Sequence, residues 1–284
     1  MNVSKFWGFV LIIISASSFG MMPIFGKYVY EDGLDPISLL FLRFTIASAL
    51  LISLQVLLRI PLPRGRILFI LILMGIIGYG GQSFTYFTAL TLIPAGLVSI
   101  LLYVFPAMVT VLSVIFLKEQ ITTKKISALL LALTGTVFVV GFETAGSTLG
   151  ILYALAGAAF YAVYIVVGAV VTRKYGSFAS STVIISSTAV AYGLIVLNQG
   201  LIWPQSSSGW LNLVLIAIIG TVISIITFFA GVKRIGAVNG SILSTVEPVV
   251  TVFLGMLILS EGVYWTRFLG MILILGGAVI LARR

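Results

Sequence analysis

Apolar residues run through the chain in ten long stretches, separated by short segments that contain charged residues, glycine or proline. Each stretch is long enough to cross the ~30 Å hydrocarbon core of a bilayer at about 1.5 Å per helical residue. Inside lipid the backbone must satisfy its own hydrogen bonds, which favours helices. The pattern predicts an all-α polytopic membrane protein with ten transmembrane helices, at Phe6–Val29, Pro36–Leu58, Ile67–Leu90, Pro94–Leu117, Lys124–Phe142, Leu149–Val171, Ala179–Leu201, Trp210–Val232, Ala237–Leu259 and Tyr264–Leu281.

One segment of the chain occurs twice. Ile93–Glu119 aligns without a gap with Ile235–Glu261, at a fixed offset of 142 residues, which is half of the 284-residue chain. Such an internal repeat indicates a tandem duplication, and we predict two repeats, residues 1–142 and 143–284. The residues identical at this offset include Ile93 and Ile235, Ala95 and Ala237, Ser99 and Ser241, Pro106 and Pro248, Leu117 and Leu259, and Glu119 and Glu261.

The basic residues are distributed unevenly between the two sides of the predicted bundle. With ten helices both termini lie on one side, and lysine and arginine favour the cytoplasmic side. Placing the termini inside gives the inner segments 13 of the 16 basic residues: Lys5, Arg59, Arg64, Arg66, Lys118, Lys124, Lys125, Arg173, Lys174, Lys233, Arg234, Arg283 and Arg284. We therefore predict a multi-pass protein of the inner (cytoplasmic) membrane, with the N-terminus and C-terminus cytoplasmic.

The duplication has a functional consequence. Because each repeat holds five helices, the second repeat enters the membrane from the opposite side, and the two repeats are inverted. Transporters built this way bind their substrate near the bilayer midplane between the repeats. Both repeats lie in one chain, so a monomer is sufficient for this mechanism, and a dimer is compatible with it.

Composition excludes several other classes of function. The chain is 61% hydrophobic and 8% charged, with a mean hydropathy of +1.26. Its net charge of +9 comes from small basic groups between apolar runs, without interleaved aromatic residues, so no nucleic-acid partner is expected. The chain contains no cysteine and no histidine, which excludes disulfides and most zinc sites. We expect neither a metal nor a cofactor, and proton coupling would have to use a carboxylate.

Two prolines fall in the middle of the duplicated helices. Pro106 and Pro248 each remove a backbone donor and clash with the carbonyl group four residues earlier. Prolines are tolerated in membrane helices, so a simple packing kink is one interpretation. Their paired occurrence near the midplane favours the other interpretation, that they are hinges beside a cavity.

Two charged residues lie within the predicted helices. Glu247 is at bilayer depth, where an ionised carboxylate costs at least ~2.5 kcal/mol, and it either bonds to nearby polar groups or binds a substrate or a proton. Arg43 lies about two turns from the outer end of its helix. It either reaches the interface or pairs with a nearby acid such as Asp35, which we favour, or points inward towards a substrate carboxylate. Lys27 is expected to extend to the outer interface.

A set of polar and aromatic side chains recurs at helical spacing on the third helix and its predicted neighbours. Close helix packing explains the glycines of this region without a ligand, and an interfacial belt suits the tyrosines nearest the helix ends. The deeper residues favour a substrate cavity that fits a small amphipathic solute of modest net charge: Tyr79, Gln82, Tyr86, Tyr103, Tyr161, Tyr164, Asn239 and Ser244.

Glu119 and Glu261 follow the two duplicated helices and precede the next helix by a few residues. A carboxylate there can accept amide hydrogens from the start of the following helix, where the helix dipole is positive. We interpret both residues as structural caps of the helices that follow them.

Taken together, these motifs make the sequence similar to the EamA family of the drug/metabolite transporter (DMT) superfamily. The resemblance covers the whole chain and includes Leu42-Arg43-Phe44, the segment from Ile93 to Pro106, and Glu247-Pro248. It implies a bundle with a central cavity lined by helices of both repeats, with helices 5 and 10 apart from it. Members of the superfamily export amino acids and other metabolites or exchange nucleotide sugars and phosphorylated sugars. A strongly basic cavity is not evident, which favours amino acids or neutral metabolites.

The sequence thus predicts a secondary transporter that exports amino acids or similar small metabolites by alternating access. A drug or nucleoside exporter on the same scaffold is the nearest alternative, and a lipid flippase or scramblase is a further one. An intramembrane enzyme is disfavoured because Glu247 is the single deep acid and no histidine or cysteine accompanies it. No Walker-type glycine loop is present, so ATP does not drive transport within this chain.

Overall fold

A computed structural model describes residues 3–90, 92–93, 95–141, 147–259 and 264–282. Within these ranges the chain is helical and contains no strand. Ten helices are long and apolar enough to cross a membrane, which confirms the predicted fold class. We call them spans 1 to 10: Val3–Glu31, Pro36–Leu57, Arg66–Tyr86, Leu97–Leu117, Thr123–Val140, Thr148–Tyr175, Ser177–Gln199, Ser207–Ile235, Ala237–Ile258 and Trp265–Ala282. The predicted repeat boundary, residues 142 and 143, lies outside the described residues.

Spans 4 and 9 are each interrupted directly before their proline. Span 4 is built from the helices Ala95–Leu102 and Phe105–Leu117, and span 9 from Ala237–Ser244 and Glu247–Leu259. The backbone follows the same course in both breaks, because Val104 and its repeat equivalent Val246 each donate to the carbonyl three residues earlier. Each proline therefore lies at the start of a second helix within its span. The sequence left a packing kink and a hinge open and favoured the hinge, which stays a prediction.

Spans 3 and 8 each contain a wider, π-helical turn, at Met74–Gly80 and Ile218–Ile223. At the repeat offset the second turn corresponds to residues 76–81, so the two turns occupy nearly the same place in the two repeats. Such turns are rare and concentrate at functional sites. The sequence carries no signal for them beyond the paired Gly78 and Gly220.

The contacts between spans 5 and 10 show that the repeats are inverted. A methyl group on Gly135 would come within 2.7 Å of the Gly270 carbonyl oxygen, and one on Gly277 within 2.9 Å of the Ala128 carbonyl oxygen. Gly277 is the repeat equivalent of Gly135, and Gly270 is the repeat equivalent of Ala128. Spans 5 and 10 are therefore antiparallel where they cross. A pseudo-two-fold axis at the crossing relates the two equivalent helices.

The first span of each repeat packs against the third span of the other. A methyl group on Gly8 would meet Ile235 Cγ2 at 2.5 Å, and one on its equivalent Gly150 would meet Ile93 Cγ2 at 2.6 Å. Ile93 is the repeat equivalent of Ile235. Each repeat therefore makes with the other the same contact that the other makes with it. Glycine is favoured at both places because the facing residues leave no room for a side chain.

Two connections that are predicted to lie on the outer side of the membrane are hydrogen-bonded to each other. The Asp32 carboxylate, after span 1, accepts hydrogen bonds from the backbone amides of Gln205 at 2.7 Å and Ser206 at 3.2 Å, before span 8. Hydrogen bonding from Ser206, chiefly by its side chain, lowers the pKa of Asp32. The charged form of this carboxylate thus ties the two outer connections together.

Glu119 does not cap the helix that follows it, as the sequence predicted. Its Oε1 accepts the backbone amide of Ala237 at 3.0 Å, at the start of span 9, and its Oε2 accepts Lys125 Nζ at 3.3 Å. The start of span 5 is capped by the Thr122 hydroxyl, which accepts the Lys125 amide. The prediction was wrong because inversion brings the start of span 9 beside the end of span 4. Glu261 lies outside the described residues.

We expect the variant Gly135→Ala to be less stable than the native protein by about 1–3 kcal/mol, because the added methyl group overpacks the crossing of spans 5 and 10. The matched control is Gly276→Ala in span 10, where a methyl group would meet nothing within 4 Å. Thermal unfolding of purified protein in detergent measures the difference. Equal midpoints for the two variants would contradict the close crossing described here.

Candidate functional site

A cavity of about 470 Å³ lies between the two repeats. It is lined by side chains from spans 1 to 6 and from spans 9 and 10, so both repeats contribute. Spans 5 and 10 reach it only with residues at their ends, Val139, Val140 and Arg267. The resemblance had implied that these two spans stay clear of the cavity, and this expectation is wrong at the cavity mouth.

The cavity opens towards one side of the bundle. Its lining extends to Lys27 near the end of span 1, Val140 at the end of span 5 and Arg267 at the start of span 10, which are all predicted outer ends. The equivalent position in the other repeat is packed over. Val252 lines the cavity and is partly exposed, whereas its repeat equivalent Thr110 is 7% exposed and is not part of the lining.

Most of the residues that the sequence singled out meet in this cavity. The lining includes eight of the twelve, from spans 2, 3, 4, 6 and 9: Arg43, Tyr79, Gln82, Tyr86, Tyr103, Tyr161, Glu247 and Pro248. The π-helical turn of span 3 ends just before Gln82, and the helix that follows presents Gln82 and Tyr86 to the same space. Their role in binding stays a prediction.

Four of the predicted residues lie away from the cavity lining. Tyr164 is 3% exposed and supports the wall from behind. Asn239 donates to the Ile235 carbonyl at 2.7 Å near the start of span 9, and Ser244 donates to the Ser241 carbonyl at 2.8 Å. Pro106 is buried at the break in span 4. The positions of Tyr164, Asn239 and Ser244 suit structural roles in the described conformation, and the hinge at Pro106 stays a prediction.

Aromatic rings form a continuous wall on one side of the cavity. Tyr164 stacks on Tyr79 with ring centroids 5.6 Å apart and on Tyr161 with centroids 6.1 Å apart. Tyr161 also contacts the Phe105 ring at 4.7 Å. Offset and edge contacts at these distances stabilise aromatic pairs, so the rings of Tyr79, Tyr161 and Phe105 give the cavity a closely packed aromatic surface.

Arg43 points into the bundle and is only 4% exposed. One terminal nitrogen donates to the Tyr79 hydroxyl at 2.9 Å and the other to Met22 Sδ at 3.0 Å, while its guanidinium carbon lies 4.5 Å from the centroid of the Phe44 ring. It forms no ion pair with any acid in the described part of the chain. The favoured prediction, that Arg43 reaches the interface or pairs with an outer acid, was therefore wrong.

Glu247 begins the second helix of span 9, directly after the break. Its side chain lines the cavity, as does Tyr103 from span 4 of the other repeat. The Thr251 hydroxyl, one turn further, donates to the Gly20 carbonyl at 2.9 Å and joins span 9 to span 1. The break thus places a carboxyl group at a helix start, inside the cavity and against the first repeat.

The sequence analysis missed two of the charged residues in the lining. Lys27 and Arg267 both border the mouth of the cavity, although Lys27 was expected only to extend to the interface. Their signal in the sequence is a basic residue at an otherwise acid-rich outer end, which does not by itself show which way the side chain faces. Phe19 and Met22 of span 1 were missed as well, since apolar side chains look alike on every face of a membrane helix.

Known proteins share both the sequence pattern and the fold. The model of the EamA-like transporter family matches the chain twice, at residues 6–141 and 148–283. Uncharacterized transporter YcbK of Bacillus subtilis is 24% identical over 89% of this chain and 86% of its own length. Aromatic amino acid exporter YddG of Ancylobacter novellus is 27% identical over 74% of this chain and 76% of its own length.

A solved crystal structure superimposes on the chain with a TM-score of 0.85, at 24% identity and with 98% of each chain covered, which supports the fold. The two family matches together include nearly every residue of the chain and fall one in each repeat. The chain, a ten-span membrane protein with a cavity between inverted repeats, therefore belongs to the EamA-like transporter family.

Proposed function

We propose that the protein is a secondary transporter that exports amino acids or similar small metabolites across the cytoplasmic membrane by alternating access. The observation that carries this proposal is the one-sided cavity between inverted repeats. Val252 of span 9 lines the cavity, whereas its repeat equivalent Thr110 in span 4 is buried. Exchange of the two arrangements would close the outer side and open the inner side, as expected for transporters of this construction.

The size and lining of the cavity support a small amphipathic cargo. Its volume of about 470 Å³ lies within the range of ligand-binding pockets, roughly 300–1,000 Å³. The aromatic wall offers an apolar surface, and Arg43 and Glu247 offer opposite charges within the same space. The exporter from Ancylobacter novellus that resembles this chain is named for aromatic amino acids, which supports amino acids as the class of cargo.

The breaks before Pro106 and Pro248 provide the flexible points for this exchange. Each break leaves two short helices that can tilt separately, because the proline removes the hydrogen bond that would lock them together. Glu247 moves with the break in span 9 and is the residue we assign to binding either the ammonium group of the cargo or a proton. Both repeats belong to one chain, so we propose the monomer as the unit of transport.

We expect counterflow of amino acids into proteoliposomes, measured with a panel of amino acids, nucleosides and labelled lipid, to identify the cargo. Tyr86→Ala should reduce the rate about tenfold, which corresponds to ~1.4 kcal/mol, because it removes part of the aromatic lining. Phe84→Ala is the matched control, since Phe84 lies on the same helix and is 48% exposed on its outer face.

In the same assay Glu247→Gln should abolish any dependence of transport on a pH gradient, because glutamine cannot exchange a proton. Exposed Glu31→Gln is its control. Movement of lipid with no amino acid or nucleoside counterflow would contradict the proposed function. Transport whose pH dependence persists in Glu247→Gln would remove Glu247 from the proton path.

Alternating access predicts opposite labelling of two equivalent positions, and the absence of native cysteine makes single-cysteine variants clean probes. Val252→Cys should react with a membrane-impermeant maleimide from the outer side, because Val252 lines the open cavity. Its equivalent Thr110→Cys should react from the inner side, and only when inward-facing molecules accumulate. Phe253→Cys, next to Val252 but outside the cavity lining, is the unreactive control. Labelling of both probes from one side would contradict the exchange.

A further inference from the structure

The charged lining of the cavity is unbalanced. It contains three basic residues and one acid, namely Arg43, Lys27, Arg267 and Glu247. Lys27 and Arg267 stand at the mouth, where water can solvate them, but Arg43 lies deep in the bundle and is almost fully buried. A cation in this position demands a partner more strongly than the two at the mouth.

The described partners of Arg43 are all neutral. They are a hydroxyl group, a thioether sulfur and an aromatic ring, from Tyr79, Met22 and Phe44. The Nε atom of Arg43 is buried and has no hydrogen-bond partner among the described residues. Buried charges in proteins are normally paired, because an uncompensated one costs several kcal/mol. Arg43 can therefore donate a hydrogen bond to an anionic group.

We infer that Arg43 binds the carboxylate group of the transported solute. This inference rests on the proposed function and names the chemical feature that the cargo must carry. The guanidinium group presents a planar set of donors that matches a carboxylate in two-point geometry. Tyr79 positions this group, since its hydroxyl holds one terminal nitrogen while its ring belongs to the aromatic wall. The apolar remainder of the solute lies against that wall.

The test compares each transported amino acid with its own carboxamide, which keeps the side chain and the amine but lacks the negative charge. Wild-type proteoliposomes should show counterflow of the acid at least about tenfold faster than of the amide, as for the loss of one charge-assisted contact. Arg43→Gln should bring this ratio close to one. Arg43→Lys should retain an intermediate ratio, and Tyr79→Phe should slow both compounds while it preserves most of the ratio.

The ratio separates binding from folding, because a merely structural arginine would change both rates together. Equal transport of acid and amide by the wild type would overturn the inference even if Arg43→Gln fails to fold, and it would leave the transporter function standing. An undiminished ratio in folded Arg43→Gln would overturn it as well. Counterflow of none of the amino acids in the panel would overturn both the inference and the proposed cargo class.

A separate observation concerns the closed side of the bundle. The bond from the Ala237 amide to Glu119 Oε1 joins the end of span 4 in one repeat to the start of span 9 in the other, on the side where the cavity is sealed. The turn before span 9 is tight, since Gly236 has φ +87°, and a methyl group there would lie 2.9 Å from Glu119 Oε1. The first helix of span 9 beyond it is almost entirely buried.

We propose that this bond is a latch that holds the inner side closed while the cavity is open to the outer side. A carboxylate at a helix start interacts favourably with its free amides and positive dipole end, and here the two partners belong to different repeats. Any motion that opens the inner side by separating spans 4 and 9 must break it. Lys125, which binds the other carboxylate oxygen, belongs to the same repeat as Glu119 and would move with it.

Glu119→Ala should therefore shift the protein towards the inward-open state. Labelling of Thr110→Cys from the inner side should rise roughly fivefold or more relative to labelling of Val252→Cys from the outer side. Lys125→Met is the matched control, because it removes the ion pair and leaves the bond to Ala237. An unchanged labelling ratio in folded Glu119→Ala, or an equal shift in Lys125→Met, would overturn the latch.

Discussion

The exchange of packing between the repeats is the constraint on which the rest of the structure depends. Span 1 lies against span 8 so closely that Gly8 has no room for a side chain. The same restriction applies at Gly150 of span 6, which faces the turn after the third helix. Neither repeat can bury these surfaces alone, so each completes the other. The cavity is the space left where the two interlocked units do not fill the bundle, and it opens towards one side only.

The bilayer restricts where the backbone can depart from a regular helix. Every backbone group in lipid must be satisfied within a helix, so a break such as the one before Pro248 is tolerated only where protein or a water-accessible cavity surrounds it. Both breaks lie in the interior of the bundle. The break in span 9 is next to Glu247, and the break in span 4 is next to Phe105. Irregular backbone, a deep carboxyl group and the cavity therefore occur together for a single physical reason.

Much of the fold could be predicted from the sequence, because length, hydropathy and duplication leave few alternatives. Ten apolar stretches set the number of spans, and an odd number of spans per repeat sets their inversion. The partners of individual side chains could not be predicted in this way. Glu119 was assigned to the nearest helix start along the chain, yet it binds Ala237, 118 residues away, because only the three-dimensional crossing of spans 4 and 9 brings them together.

The candidate site divides into a part that the sequence indicated and a part that it could not. Tyr79, Gln82 and Tyr86 were recognisable because a polar aromatic face is unusual on a deep membrane helix. The direction of the Arg43 side chain could not be predicted. An arginine two turns into a span can extend outwards to the interface or face inwards, and the sequence does not distinguish the two. The π-helical turn at Met74–Gly80 changes which residues of span 3 face the same direction before and after it. No residue pattern in the sequence predicts such a turn.

The repeats differ where the cavity chemistry lies, and under the proposed function this difference would let a symmetric scaffold hold an asymmetric solute. At the repeat offset, Arg43 corresponds to Ile185, Tyr79 to Thr221 and Glu247 to Phe105, whereas the glycines at the helix crossings and the two prolines are largely kept. Two conformations of similar free energy require symmetry between the repeats, and this symmetry lies in the packing of the helices. Recognition needs a distinct group at each end of the solute, and it resides in residues that occur once. Under the proposed alternating access, a single central site would be presented to both sides of the membrane without a second copy of its chemistry.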